Sequence, residues 1–150
     1  MPKQFKVPYV DIGKQWQNEK KDLLRIIDRV LSTGHYVGGE EIIKFENNIK
    51  KKIKVKNCVA LNSGTDALTF SLYCLGVKKG DEVITVPNSF IASTASIVHL
   101  GAKPVFVDVL PDQNINPALI EKKINKRTKA IMPVHLTGRV CDMEKILSIS

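Results

Sequence analysis

The sequence predicts an α/β fold, a three-layer α/β/α arrangement around a mostly parallel sheet, and three observations lead there. Short Val- and Ile-rich runs recur from residue 57 onward, bounded by Gly, Pro and Asp. Helix-length stretches separate these runs, so successive strands must run parallel and be joined by crossover helices. The chain has 150 residues, 43% of them hydrophobic, which suits a globular domain with a core of ordinary size.

Each element follows from its own pattern. Leu23, Leu24, Ile26, Ile27, Val30 and Leu31 recur at helical spacing with Asp22, Arg25, Asp28 and Arg29 opposite, and Ser32-Thr33-Gly34 ends that helix. A glycine-rich loop (Gly34, Gly38, Gly39) leads to a second helix from Glu40 to Lys51, with Ile42, Phe45 and Ile49 on one side. These two helices form a preface, assigned to residues 1–56. The sheet domain is assigned to residues 57–150.

Within it, Cys58-Val59-Ala60-Leu61 is expected as a short buried strand and Thr65 to Leu75 as a helix stopped by Gly76. Glu82 to Val86 is the next strand, entered through the turn Lys79-Gly80-Asp81, and Phe90 to Leu100 the next helix. Pro104 to Asp108 and Lys129 to Val134 are further strands, separated by a helix from Pro117 to Ile124. Asp142 is a good N-cap for a last helix begun by Met143, Ile146 and Leu147. That helix stops after barely two turns, so the chain is read as the front part of a longer protein, with a natural truncation as the alternative.

Composition excludes several functions. No apolar run approaches the roughly 20 residues of a membrane span. The hexapeptide Met1-Pro2-Lys3-Gln4-Phe5-Lys6 has no apolar signal core, so a soluble cytoplasmic location is expected. Cys58, Cys74 and Cys141 are odd in number and widely spaced, which reads as buried thiols in a reducing compartment and as neither a disulfide framework nor a metal site. The net charge of +8 arises largely from lysines clustered at Lys44–Lys56 and Lys122–Lys129. Lys50–Lys56 carries no aromatic residues to stack bases, and no zinc or RNA-binding signature accompanies it, so nucleic acid is not expected as a partner.

Ligands of open parallel sheets bind beyond the carboxyl ends of the strands. Asn62-Ser63-Gly64-Thr65 lies there, where free helix N–H groups, the helix dipole and the Ser63 and Thr65 hydroxyls suit an anion such as phosphate. Gly64 permits close approach of the backbone. The same residues also make an ordinary capped helix, and Asp66 reads as structural. Phe90 follows the next strand; it either lies over a planar heterocycle or packs on its own helix. His135 follows the last strand, as a hydrogen-bonding imidazole or as a satisfied structural residue. Together a phosphate cradle, a stacking ring and an imidazole match the needs of a phosphorylated planar cofactor.

These motifs resemble the DegT/DnrJ/EryC1/StrS family of pyridoxal-phosphate sugar aminotransferases, in the N-terminal part of the large domain of fold-type-I enzymes. The resemblance runs through Val7-Pro8-Tyr9-Val10-Asp11, Gly34-His35-Tyr36-Val37-Gly38-Gly39 and Ser63-Gly64-Thr65-Asp66-Ala67-Leu68. It continues through Gly80-Asp81-Glu82-Val83-Ile84, Ser89-Phe90-Ile91-Ala92, Gly101 to Asp108 and Pro133-Val134-His135-Leu136-Thr137-Gly138.

It implies pyridoxal 5'-phosphate as cofactor, with Gly64 and Thr65 anchoring its phosphate, Ser63 adjoining, Phe90 stacked on the pyridine and His135 near the phenolic oxygen. It also implies amino transfer from an amino acid, typically glutamate, to a nucleotide-linked keto-sugar, in a homodimer. The loop around Tyr36 is expected at the substrate entrance. None of the lysines present matches the family's Schiff-base lysine motif. No catalytic residue and no metal site are therefore assigned within the 150 residues, and the chain alone is expected to be inactive. A pyridoxamine-phosphate-dependent sugar dehydratase and a non-enzymatic cofactor-binding module are the alternatives.

Overall fold

The computed structural model describes residues 7–150 and divides into two compact units, one ending at Ala60 and the other running from Leu61 to Ser150. The hexapeptide Met1–Lys6, read above for its lack of an apolar core, lies outside the described residues.

The first unit holds two amphipathic helices, α1 (Ile12–Leu31) and α2 (Glu40–Ile53). α1 begins well before the apolar repeat at Leu23, because Asp11 caps it by accepting the Lys14 N–H at 2.9 Å. It ends where the Ser32 N–H returns to the Asp28 carbonyl and Gly34 turns left-handed at φ 72°. α2 carries Glu40 and Glu41 in its first turn and Lys50, Lys51 and Lys52 in its last, complementing the helix dipole at both ends. An exposed ion pair, Arg29 to Glu41 at 3.0 Å, links the two helices.

The expected strand Cys58–Leu61 does not form. Ala60 donates its N–H to Glu46 Oε1 of α2 at 2.8 Å, which removes a group a strand ladder would need. Val59 remains exposed.

The second unit is the three-layer α/β domain. Its helix α3 (Gly64–Cys74) precedes strand β1 (Glu82–Thr85), followed by α4 (Ala92–His99), β2 (Lys103–Phe106), α5 (Pro117–Ile120), β3 (Thr128–Ile131) and α6 (Met143–Ile149). The strands are parallel in the order β2-β1-β3, with Ile84 opposite Val105 on one side and Ile131 on the other. The expected helix Pro117–Ile124 is α5 followed by a 3-10 turn over Glu121–Lys123.

Alternation along β1 separates two cores. Val83 packs with Leu72, Val77, Ile97 and Ala102, burying the faces of α3 and α4. Ile84 and Val86 pack on the other side with Val107, Ile115, Ile120, Cys141 and Ile146, burying α5 and α6. Of the three thiols only Cys141 is buried; Cys74 is exposed and Cys58 half-buried. Gly101 closes the turn after α4 at φ 72°, a conformation that strains any side chain, and a Cβ there would also crowd Lys79 Cβ at 3.2 Å.

The amino end of β1 carries a charge inside the fold. Glu82 is 3% exposed and accepts from Asn125 Nδ2 at 2.7 Å and from Arg127 at 2.7 Å, with Lys103 Nζ at 4.0 Å. The Asn125 hydrogen bond, helped by the Arg127 and Lys103 charges, holds its carboxyl below the usual carboxylate range against the opposing effect of burial. The folded state therefore binds this proton less readily than the unfolded chain does. The stabilisation is complete above the ordinary glutamate value of about 4.3 and is lost as pH falls through the lowered folded value. Urea unfolding of Glu82→Gln is expected to show a shallower loss of stability on acidification than the parent chain. Equal slopes below about pH 5 would mean that another carboxylate governs acid unfolding.

Candidate functional site

The carboxyl ends of β1 and β3 carry two of the residues singled out from the sequence, Phe90 and His135, whereas Ser63, Gly64 and Thr65 do not follow a strand here, because Cys58–Leu61 forms none. β1 and β3 are hydrogen-bonded neighbours, and Met132 extends the pairing through its N–H to the Ile84 carbonyl at 2.7 Å and its own carbonyl to Thr85 Oγ1 at 2.9 Å. Phe90 follows β1 and His135 follows β3, so both leave the sheet at the same end. Ser63, Gly64 and Thr65 open α3, which packs on α4, the helix that Phe90 leads into.

Ser63 is the N-cap: its Oγ accepts the Asp66 N–H at 3.0 Å and its carbonyl accepts the Ala67 N–H at 3.0 Å. The Gly64 and Thr65 N–H groups are left as donors without intrahelical acceptors. The Ser63 hydroxyl proton also stays free to donate, because the capping bond uses only its oxygen lone pair. Gly64 has no positive φ, and a Cβ built there meets nothing within 4 Å. Neither the backbone nor any neighbour in this chain requires a glycine at this position. Asp66 stands in the first turn of α3 and contributes its backbone N–H to the cap.

Phe90 lies in the turn before α4 and is 78% exposed. The helix starts two residues later than its apolar pattern suggests, since the Ser93 N–H returns to the Phe90 carbonyl and Ser89 Oγ sits 2.6 Å from Ser93 Oγ. The ring is therefore not packed down on its own helix. It is presented outward at the strand end.

His135 is also exposed, but one of its nitrogens is engaged: Nδ1 accepts the Cys141 N–H at 3.1 Å. Cys141 donates its thiol to the Val134 carbonyl at 3.2 Å, and burial pushes that thiol's pKa up, which keeps it protonated and inert. Sequence reasoning missed this partner, as well as Asn114, which is 2% exposed and donates Nδ2 to the Val140 carbonyl at 3.2 Å. Only the polar run Asp112-Gln113-Asn114 ahead of the helix-starting Asn116-Pro117 hinted at a built turn there. Among the described residues, no three His, Cys, Asp or Glu side chains come together as metal ligands, and no helix is long and apolar enough to cross a membrane.

The second unit is thus a three-layer α/β domain with open N–H donors at the start of α3 and with an outward ring and an imidazole at the carboxyl end of its sheet. The chain belongs to the DegT/DnrJ/EryC1/StrS aminotransferase family, whose model matches residues 17–150. It is 41% identical over 143 residues to a dTDP-3-amino-3,6-dideoxy-alpha-D-galactopyranose transaminase of Aneurinibacillus thermoaerophilus, covering 93% of this chain and 39% of that protein. It is 38% identical over 145 residues to the UDP-2-acetamido-2-deoxy-3-oxo-D-glucuronate aminotransferase of Pseudomonas aeruginosa, covering 96% and 40%. The crystal structure of Bacillus subtilis ntda with bound cofactor PMP superposes with a TM-score of 0.92 at 35% identity, covering 99% of this chain and 35% of that one. The fold is that of the N-terminal part of a fold-type-I aminotransferase. The chain spans about two fifths of the length of the curated relatives it matches.

Proposed function

We propose that this chain is the cofactor-cradling part of a pyridoxal-phosphate-dependent aminotransferase that moves an amino group from an amino acid, glutamate in the first instance, to a nucleotide-linked keto-sugar. The observation that carries the reading is the start of α3. Two N–H donors lack acceptors, and a glycine faces open space with no conformational need to be glycine. Such a cradle fits a phosphate group, which a helix N-terminus binds through N–H donors and the dipole. Gly64 and Thr65 hold the phosphate through backbone N–H, with Ser63 and Thr65 also donating from their hydroxyls. Phe90 covers one face of the pyridine ring, and His135 donates to the phenolic oxygen. When bound, pyridoxal phosphate supplies the electron sink through which the amino group is transferred.

The chain's own residues bind and orient; none is assigned as the base. The Schiff-base lysine is assigned to the remainder of a longer parent protein, and the parent to a cytoplasmic homodimer. The relatives' named activities, on dTDP- and UDP-linked sugars, support the substrate class.

Pyridoxal phosphate titrated into the parent protein and followed by absorbance tests the site. Phe90→Ala is expected to raise Kd about fivefold, since a stacked aromatic contributes on the order of 1 kcal/mol. Thr65→Ala, which keeps the backbone N–H and removes one hydroxyl donor, should raise it roughly 10- to 100-fold, since a hydrogen bond to a charged acceptor is worth about 1.5–3 kcal/mol. Unchanged dissociation constants would move the anchor elsewhere. Formation of 2-oxoglutarate from glutamate beyond one equivalent per site, only when a nucleotide keto-sugar is supplied, tests the reaction.

A further inference from the structure

We propose that the loop after β3 locks His135 in the Nε2–H tautomer, making it a dedicated hydrogen-bond donor to the bound cofactor, and that Asn114 and the Cys141 N–H are its positioning groups. The identity of the acceptor rests on the proposed cofactor site; the tautomer does not.

The loop is tied to itself at several points. Leu136 N–H returns to the Val134 carbonyl at 2.9 Å, Gly138 N–H to the His135 carbonyl at 3.1 Å and Arg139 N–H to the Leu136 carbonyl at 3.0 Å. The chain reverses through Thr137 and Gly138, both left-handed at φ 54° and 85°. This reversal brings the Cys141 N–H to His135 Nδ1. A backbone N–H can only donate, so Nδ1 must be the unprotonated nitrogen and Nε2 carries the hydrogen.

A second loop holds the first in place. Asn114 receives support from Asp112, whose carboxylate accepts the Asn114 N–H at 3.1 Å and Nδ2 at 3.4 Å. The same Nδ2 donates to the Val140 carbonyl, one residue before Cys141, and Arg139 donates to the Asp112 carbonyl at 3.1 Å. The amide orientation is forced, because the flipped form would set its oxygen against two acceptors. Asn114 Oδ1 is buried with no partner, a cost that core packing alone does not explain. The residue joins the loop after β2 to the loop that carries His135. An imidazole held this way donates through Nε2 and cannot take a proton there.

The test is a two-bond nitrogen–proton correlation spectrum of the full chain labelled with 15N-histidine. It holds three imidazoles, His35, His99 and His135, and His135 is assigned by the signals lost in His135→Gln. Above the imidazole titration His135 is expected to show a single Nε2–H pattern. An Nδ1–H pattern, or the mixture seen for free imidazole, overturns the proposal. Asn114→Ala is expected to shift His135 toward that mixture while His35 and His99 stay put; an unmoved His135 removes the positioning role. Should Asn114→Ala not fold, Arg139→Ala, at the exposed side of the same clamp, is expected to shift His135 in the same sense, and an unmoved signal counts against the clamp. Added pyridoxal phosphate should move the Nε2 signal and leave Nδ1 as acceptor. Binding seen by absorbance without that movement overturns the donor role. No binding at all overturns the cofactor site and its acceptor, while the tautomer stands or falls on the spectrum recorded before addition.

Discussion

Ile84→Ala is expected to destabilise the sheet unit by about 3–4 kcal/mol, within the range for truncating a buried Ile to Ala. Ile84 is fully buried in the middle strand, flanked by Val105 and Ile131. It packs in the core beneath α5 and α6, with Val107, Ile115, Ile120 and Ile146 in the same cluster. Neighbours fixed on both sides by strand pairing and above by two helices have little freedom to close the cavity. The loss is a large share of a stability of roughly 5–15 kcal/mol. For a unit of this size it corresponds to a thermal midpoint lower by more than about 10 °C. Urea unfolding should show the midpoint shift with the slope unchanged. Ile84→Val, which removes one methyl, should cost about 1 kcal/mol. A loss below 1 kcal/mol for the alanine variant would mean that β1 is not the central strand.

The same residue shows why the sheet was legible in the sequence. The apolar residues Val83, Ile84 and Val86 lie together between Asp81 and Pro87, and all four residues of β1 are buried, as in a strand covered on both faces. Cys58–Leu61 is wholly apolar and is not a strand, because pairing depends on what competes for the backbone. Glu46, fourteen residues earlier, takes the Ala60 N–H, and no local pattern announces that. Glu82 shows the converse: nothing in the local pattern announces that this carboxylate, the first residue of β1, is buried against Asn125 and Arg127. The position of Phe90 and His135 at the sheet's carboxyl edge followed from strand order alone. The Cys141 bond to His135 did not, since it exists only through the left-handed backbone at Thr137 and Gly138, the first of which is not even glycine.

The largest effect on ligand binding is expected from Gly64→Leu, and it should come with no loss of stability. A Cβ at Gly64 meets nothing in this chain, its φ is not left-handed, and Leu is a better helix former than Gly. The thermal midpoint of the variant should equal or slightly exceed that of the parent chain. A phosphate seated on the Gly64 and Thr65 N–H groups, by contrast, would meet the leucine side chain directly. Displacing it from one or two charge-assisted hydrogen bonds, each worth about 1.5–3 kcal/mol, weakens binding by roughly 10- to 10,000-fold. Pyridoxal phosphate titration read beside differential scanning calorimetry separates the two effects. Lost affinity in a fold of undiminished stability ties the glycine to an occupant outside the chain. Undiminished affinity would place the phosphate away from α3, leaving Ser63 as no more than a helix cap. A fold that melts early would instead show that Gly64 serves contacts within the protein itself.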